Sequence, residues 1–478
     1  MSVDDAVARA TASGFEGTGR EDRARWLEAL AEAIAGDRAE LVRLAAAETH
    51  LSEARLDGEI TRTDSQLRFF AGVARDGGYL EATLDAPDPT TTPPRPDLRR
   101  MLRPLGAVAV YAASNFPFAF SVLGNDTASA LAAGCPVIVK GHPGHPETSR
   151  RTAALAERTL AAAGAPDGCF GLVEGMDAGV ALVQHPGVAA VGFTGSERGG
   201  RALFELAAAR ERPIPFYGEL GSINPVVVTE SAARERPDEI ATGLVGSFTR
   251  DAGQFCTKPG LVFIPAGARI EDAVATALMA APSQQQLTEG MTSAFAAGAA
   301  SFAGRSDVQI LNAAAEAPDS APTVVITDGE AFTTDPEPFL TECFGPLTVL
   351  VRYLGDEELQ RAIGSLDPSL TATILRGQGE DVTALAAALA PLAGRLVFDG
   401  WPTGVAIAWA QHHGGAWPAT TASVHSSVGA SAIRRFLTPI AYQDAPQAVL
   451  PPELRDHNPA NIPRREASST DASRVPRD

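Results

Sequence analysis

Residues 105–140, LGAVAVYAASNFPFAFSVLGNDTASALAAGCPVIVK, decide the reading of the fold. Two short apolar runs, LGAVAVY (105–111) and PVIVK (136–140), flank a stretch with helical spacing, FAFSVLGNDTASALAAG (118–134). An apolar strand, a helix and a second apolar strand make one crossover of a parallel sheet, because parallel neighbours need a connection long enough to return across the sheet. The alternation continues downstream. A helix is predicted over 147–164, a strand at CFGLVE (169–174), a helix near 177–185, a strand at VAAVGFT (188–194), a helix over 199–210 and a strand at IPFYGEL (214–220). Unbroken apolar strands separated by helices predict a doubly wound, Rossmann-type parallel sheet with its ligands at the C-terminal strand ends.

On the N-terminal side, residues 21–49 have helical apolar spacing that Gly36-Asp37 divides in two. A Pro-, Thr- and Asp-rich stretch from Ala82 to Pro104 reads as a surface excursion or exposed ribbon. On the C-terminal side, GLVFIP, PTVVIT, LTVLVRY, LTATILR and GRLVFDG alternate with helices predicted near 270–281, 356–365 and 380–391, which makes a second α/β unit. The polar tail from about Arg465 is expected to be disordered.

Bulk properties exclude several functions. A formal net charge of −19 argues against nucleic-acid binding and against docking to anionic membranes. The four cysteines, Cys135, Cys169, Cys256 and Cys343, are far apart and include no CxxC, so no disulfide framework is expected and a reducing cytoplasm is the natural setting. The eight histidines show no HxxxH or HExxH spacing, and no metal site is expected; His412 and His413 are adjacent and would not face one another on a helix. The N-terminus lacks the apolar run of a signal peptide, and no stretch is long enough to cross a bilayer.

Several strand ends carry groups with chemistry. Thr194, Gly195 and Ser196, with Gly199 one helical turn on, lie between a predicted strand and helix, where N–H groups and the helix dipole can meet an anion; an ordinary strand–helix turn has the same composition. Lys140 ends PVIVK and can reach ribose hydroxyls or phosphates, or be a solvated lysine. Cys256, in GQFCT, is either a small packing residue or a thiolate nucleophile for carbonyl carbon. Two other residues weigh on that choice. Glu219 ends IPFYGEL and can act as general base on water. Asn115 follows LGAVAVY, and its amide can donate to a developing oxyanion, a contact worth roughly 3 kcal/mol.

Together, ASNFP, VIVKGHP, FTGS, ELGSINP, GQFCT and ECFGP, in this order, resemble the motifs of the NAD(P)-dependent aldehyde dehydrogenase superfamily, from about residue 10 to residue 465. NFPFAFSVLGNDTASALAAGCPVIVKGHP, GQFCTKPG, DGWPTGV and HHGGAWPAT are similar to the branch that oxidises 2-oxoglutarate semialdehyde (2,5-dioxopentanoate), and also to a bacterial NADP-dependent fatty aldehyde dehydrogenase. The resemblance implies a Rossmann-type NAD(P)-binding domain over 1–85 and 104–220 and an α/β catalytic domain over 221–433. It further implies an oligomerisation ribbon from 86–103 and 434–465, before a disordered tail at 466–478. The ribbon would pair with the C-terminal strand FLTPIAYQ of another subunit of a homodimer or homotetramer.

By resemblance, Cys256 attacks the aldehyde, Asn115 and the Cys256 N–H hold the oxyanion, and Glu219 activates the water that hydrolyses the thioester. Lys140, His142, Pro143, Thr194, Gly195, Ser196, Gly199, Glu342 and Phe344 would surround the cofactor. Pro143 stands where many NAD-preferring relatives carry a glutamate. Its neutrality removes a clash with a 2′-phosphate, so NADP or NAD is expected, although Ala178 stands where an arginine clamp would be useful. Arg62 and Arg250 are candidates for a substrate carboxylate; Arg250 can instead pair with Asp251. Asp399 replaces the usual asparagine before GWPTGV. Medium- or long-chain aliphatic aldehydes are the alternative substrates, and a non-catalytic cofactor-binding protein is the alternative of another class, disfavoured by the intact Cys256, Glu219 and Asn115. Glu219 also disfavours a CoA-acylating enzyme.

Overall fold

The computed structural model describes residues 1–312 and 321–467, and among them sixteen strands form three sheets. A small ribbon begins with β1 (Thr83–Asp85) and β2 (Leu98–Pro104). Five parallel strands follow: β3 (Val108–Tyr111), β4 (Val137–Lys140), β5 (Phe170–Val173), β6 (Ala190–Thr194) and β7 (Phe216–Glu219), in the order β5-β4-β3-β6-β7. Every residue of β3 and β4 is buried. Helices cover both faces, which is why these strands read as unbroken apolar runs rather than as an alternation. The chain winds from β3 outward to β5 and then returns to the other side of β3 at β6. That reversal opens a crevice at the C-terminal ends of β3 and β6, where such sheets bind their ligands.

The second sheet contains β8 (Pro225–Val228), β9 (Leu261–Pro265), β10 (Gln309–Asn312), β11 (Thr323–Asp328), β12 (Leu347–Tyr353), β13 (Ser369–Leu375) and β14 (Ala393–Phe398). Its order is β10-β11-β12-β9-β8-β13-β14, parallel except for the β10–β11 pair. The short strands β8 and β10 are additions to the sequence reading.

The ribbon closes with β15 (Leu437–Gln443), antiparallel to β2, and β16 (Arg465–Ala467), parallel to β1. This corrects the expected pairing with another subunit's strand: β15 lies on β2 of its own chain. The turn before it fixes that choice. The Arg435 guanidinium bonds Asp126 at 2.6 Å, and Leu105 N–H donates to the Phe436 carbonyl at 3.0 Å, so β15 starts beside Pro104 of the same chain. Glu466 and Ala467, expected in the tail, extend β16, while 468–478 lie outside the described residues.

The helix expected over 118–134 is shorter, Asn125–Ala133. A Cβ at Gly124 would lie 2.6–2.7 Å from the backbone of residues 119–121, so the chain doubles back there before the helix can begin. The sequence reading also passed over the longest helix, Glu53–Asp76. Ser52 caps it by accepting from Arg55 N–H, and Leu56, Ile60, Leu67, Phe70 and Ala71 bury its inner face. Its outer turns bring Arg55, Glu59 and Arg62 to one cavity. No helix among the described residues is long and apolar enough to cross a membrane.

Candidate active site

The parallel sheet delivers Asn115, Lys140, Thr194 and Glu219 at or just beyond the C-terminal ends of β3, β4, β6 and β7. Cys256 comes from the second unit, on a tight loop between the turn Arg250–Gly253 and β9. That loop is backbone-packed. Gly253 has φ +68°, and a Cβ there would lie 2.4 Å from the Gly345 carbonyl group, so only glycine lets the loop settle on the FGP turn. Asn224 pins the other side: its side-chain amide donates to the carbonyls of Cys256 at 2.8 Å and Lys258 at 2.9 Å.

A network on helix Glu53–Asp76 joins the Asn115 loop to the Cys256 loop. Glu59 is buried and accepts from the N–H groups of Phe118 (2.8 Å) and Ala119 (2.9 Å). Arg55 donates to Glu59 at 2.5 Å and to Asp251 at 2.9 Å. Asp251 therefore pairs with Arg55 and not with Arg250. Asp251 and Ala252 both have positive φ (48° and 57°), an unfavourable conformation that the Arg55 contact helps to hold. Glu59→Ala would leave the half-buried Arg55 guanidinium with Asp251 alone and two buried N–H groups without an acceptor. The expected loss of unfolding free energy is about 3–5 kcal/mol, measured by denaturant titration, with Arg68→Ala on the exposed face of the same helix as a near-neutral control.

Around Cys256 the groups crowd together. Glu219 Oε1 lies 2.9 Å from His413 Nε2, which lies 3.5 Å from Cys256 Sγ, and ligand atoms of all three residues fall within 4.8 Å of one another. Ser427 donates to the other oxygen of Glu219. Burial alone pushes the Glu219 carboxyl up, but the neighbouring imidazole and the bonds from His413 and Ser427 outweigh it and leave a net downward shift. Cys256 is pushed well above its ordinary value, first by burial and then by the charge of Glu219. Asn115 donates to the Gln254 carbonyl at 2.9 Å, which ties its amide to the loop that carries Cys256.

His413 is the residue that sequence reasoning missed. It was considered only as a metal ligand, yet it is 1% exposed and lies between the two catalytic candidates. Its local signal was the HHGGAWPAT block, which carries no chemistry until the chain is folded. Asp399 has a structural explanation: with φ 53° it accepts from Arg376 N–H and pairs with Arg236 and Arg376.

A cavity of about 350 Å³ leads to Cys256 and is walled by Phe116, Phe120, Phe255, Arg55, Arg62 and Arg250, among others. Arg55 is neutralised by its two acids. Arg62 and Arg250 form no ion pair among the described residues. Arg62 donates to the Val405 carbonyl at 2.5 Å, and its buried Nε has no partner.

The cofactor-side candidates fit a dinucleotide. The Lys140 side chain has no hydrogen-bond partner among the described residues, although the residue is only 8% exposed at the end of β4; burial pushes its ammonium down, which a ribose hydroxyl or phosphate would relieve. Gly195 and Ser196 are exposed at the N-terminus of the helix Glu197–Ala208, and the Ser196 hydroxyl accepts from Gly199 N–H at 3.3 Å as its cap. Pro143 is exposed, while His142 is used by its own turn, accepting from Gly144 N–H at 3.0 Å. Glu342 and Phe344 are half-buried on the FGP turn.

A Cβ at Gly221 would lie 2.7 Å from Glu342 Oε2, so this glycine makes room for that carboxyl, which burial pushes up to about 7. A carboxyl whose folded pKa is raised contributes stability that is lost as pH rises from its unfolded value, near 4.5, through about 7. Glu342→Gln is therefore expected to be more stable than the wild type at pH 8, by up to about 3 kcal/mol, and similar to it at pH 4.5. Thermal unfolding across that range checks the sign.

Residues 1–416 match the aldehyde dehydrogenase family. The chain is 46% identical over 455 residues to alpha-ketoglutaric semialdehyde dehydrogenase 2 of Azospirillum brasilense, covering 92% of this chain and 86% of that one. It is 38% identical to alpha-ketoglutaric semialdehyde dehydrogenase of Acinetobacter baylyi, over 94% of this chain and 87% of that one. Among solved structures, 1-pyrroline-5-carboxylate dehydrogenase from Thermus with bound NAD superposes with a TM-score of 0.78 at 21% identity, over 92% of this chain and 85% of that one, a likeness of fold.

Proposed function

The chain belongs to the aldehyde dehydrogenase family, and we propose that it oxidises 2-oxoglutarate semialdehyde to 2-oxoglutarate with NAD or NADP. One observation carries the choice of substrate. Two guanidinium groups without an acidic partner, Arg62 and Arg250, line the cavity that ends at Cys256, and a carboxylate on the far end of the substrate supplies the missing charge. The 46% identity to a semialdehyde dehydrogenase supports the same reading.

In this reading the Cys256 sulfur bonds the aldehyde carbon while the Asn115 amide and the Cys256 N–H donate to the oxygen. Lys140, Ser196 and Glu342 would hold NAD(P), which when bound would supply the acceptor for the hydride that the carbon loses. Glu219 then deprotonates the water that hydrolyses the thioester. The stretches 1–85 and 104–220 serve as the cofactor-binding domain and 221–433 as the catalytic domain, a division supported by the two parallel sheets. The ribbon, with β15 at its edge, suits it to join subunits of a homodimer or homotetramer, which light scattering measures directly.

The test of the substrate is initial-rate oxidation of 2-oxoglutarate semialdehyde against hexanal, with NAD and NADP in parallel. Arg62→Met is expected to lower kcat/KM for the semialdehyde by about 10²-fold, from the loss of a charge-assisted contact worth about 1.5–3 kcal/mol, and to spare hexanal. Equal losses for both aldehydes, or a wild type that turns over hexanal alone, would reject the assignment.

A further inference from the structure

Two residues beyond Cys256 the chain buries a lysine. Lys258 is 2% exposed, and its Nζ donates to the carbonyls of Cys343 at 2.8 Å and Leu347 at 2.7 Å. These carbonyls mark the two ends of the FGP turn, with Glu342 just before it. Leu347 opens β12 but lies beyond the last pair of the β9–β12 ladder, Leu261 with Val349, so its carbonyl has no partner on β9 and takes the lysine instead. Lys258 forms no ion pair among the described residues, although an ammonium ion is costly to bury without one. Two carbonyls account for a donor at this place. They do not account for a charge, which an amide donor would avoid.

The charge has a counterpart on the turn. Cys343 and Glu342 are the acidic groups whose charge acts on Lys258. The groups facing Glu342 are Lys258 and Cys256 on the nucleophile loop, Glu197 at the start of the helix Glu197–Ala208, Cys343 beside it in the chain and the Ser222 N–H after β7. Burial, and after it the charge of Glu197, favours the neutral carboxyl; Lys258 and the Ser222 N–H oppose them. We propose that Lys258 is a positioning residue for cofactor binding: its buried ammonium clamps the turn beside Glu342 onto the loop that carries Cys256, and holds Glu342 as the carboxylate that accepts from a ribose hydroxyl of NAD(P). The proposal rests on the assignment of Glu342 to the cofactor but not on the identity of the aldehyde.

The two parts of the role leave different signatures. The Glu342 carboxyl titrates at about 7 in the cofactor-free protein. Protonation removes the acceptor, so cofactor binding weakens as pH falls through that value and levels off above it. Without the Lys258 charge the carboxyl ionises at a higher pH, and the whole profile moves up with it. Loosening the clamp acts otherwise: it weakens binding alike at every pH and leaves the midpoint in place. The turn keeps its other attachment in either case, because Gly253 still packs on the Gly345 carbonyl group.

The test reads binding rather than turnover. NADH carries no group that titrates between about pH 6 and pH 9, and its fluorescence reports its Kd in the full-length protein across that range. In the wild type Kd is expected to fall about tenfold from pH 6 to pH 8. Lys258→Met keeps the length of the side chain and Lys258→Gln keeps an N–H donor, and neither carries the charge. Each is expected to bind NADH about fivefold more weakly than the wild type at pH 7, with the midpoint moved up by about one pH unit or more and the gap narrowing toward pH 9. Either variant suffices if the other does not fold. Lys258→Arg restores the charge and is expected to keep the wild-type midpoint. An unmoved midpoint in the uncharged variants would overturn the proposal, and so would a wild-type Kd that is flat from pH 6 to pH 8, before any variant is made. Glu342→Gln tells the two assignments apart: weak binding with a flat profile is expected, and wild-type affinity with wild-type pH dependence in that variant would reject Glu342 as a cofactor ligand.

Discussion

Replacing Cys256 by serine is expected to lower kcat for aldehyde oxidation by about 10⁴-fold or more while leaving cofactor binding intact. The sulfur reacts as thiolate, and a serine hydroxyl in the same place is a far weaker acid with nothing strong enough nearby to ionise it. The loop has no need of the sulfur: Gly253 seats it on the Gly345 carbonyl and Asn224 bonds its backbone. Tight nucleotide binding with no turnover is therefore the expected pairing, read by fluorescence titration of the cofactor alongside initial rates. The other cysteines supply the control. Cys135 and Cys169 are buried in the hydrophobic core and do not line the cavity that leads to Cys256, so serine at either position is expected to leave the rate near that of the wild type. A Cys256→Ser protein that keeps a tenth of wild-type activity would exclude it as the nucleophile.

Local pattern and long-range contact divide what could be read beforehand. Asn115, Lys140, Thr194 and Glu219 were legible because each ends or follows an unbroken apolar strand, and in a parallel sheet every such end faces the same crevice. The strand pattern is local, so it survives being read as sequence. The network of Arg55, Glu59 and Asp251 was not legible. Arg55 and Asp251 meet across 196 residues, and the helix that carries Arg55 and Glu59 is interrupted by enough polar residues to hide its buried stripe. His413 meets Cys256 across 157 residues and Glu219 across 194. Nothing in HHGGAWPAT signals that meeting, because contacts across such separations belong to the packed interior. The stretches expected to form the ribbon hold most of β2 and all of β15 but not β1 or most of β16, and the partner strand expected for them was another subunit's. The ribbon's composition marks an exposed edge, and only the Arg435–Asp126 pair and the Leu105–Phe436 bond decide which strand lies against it.

Glu219→Gln separates the two halves of the reaction. Acylation needs the nucleophile, an oxyanion donor and a hydride acceptor; deacylation needs a base on water. Glutamine keeps the length of the side chain; its carbonyl oxygen can still accept from His413 while its amide donates to the Ser427 hydroxyl, so the site is expected to hold its shape. It cannot take a proton from water. The expected result is a burst of about one equivalent of reduced nicotinamide per active site, at a rate near that of the wild type, followed by a steady state slower by about 10²–10⁴-fold. The acylated peptide should then be trapped by acid quench and found at Cys256. The downward shift of the Glu219 carboxyl strengthens the expectation, because it leaves the wild-type group ionised and competent as a base throughout the neutral range. Steady-state turnover without a burst would place the slow step before the thioester and give Glu219 a role in acylation. An unchanged steady state would mean that the hydrolytic water takes its base from elsewhere, and the one group positioned to serve is His413, already in contact with the sulfur.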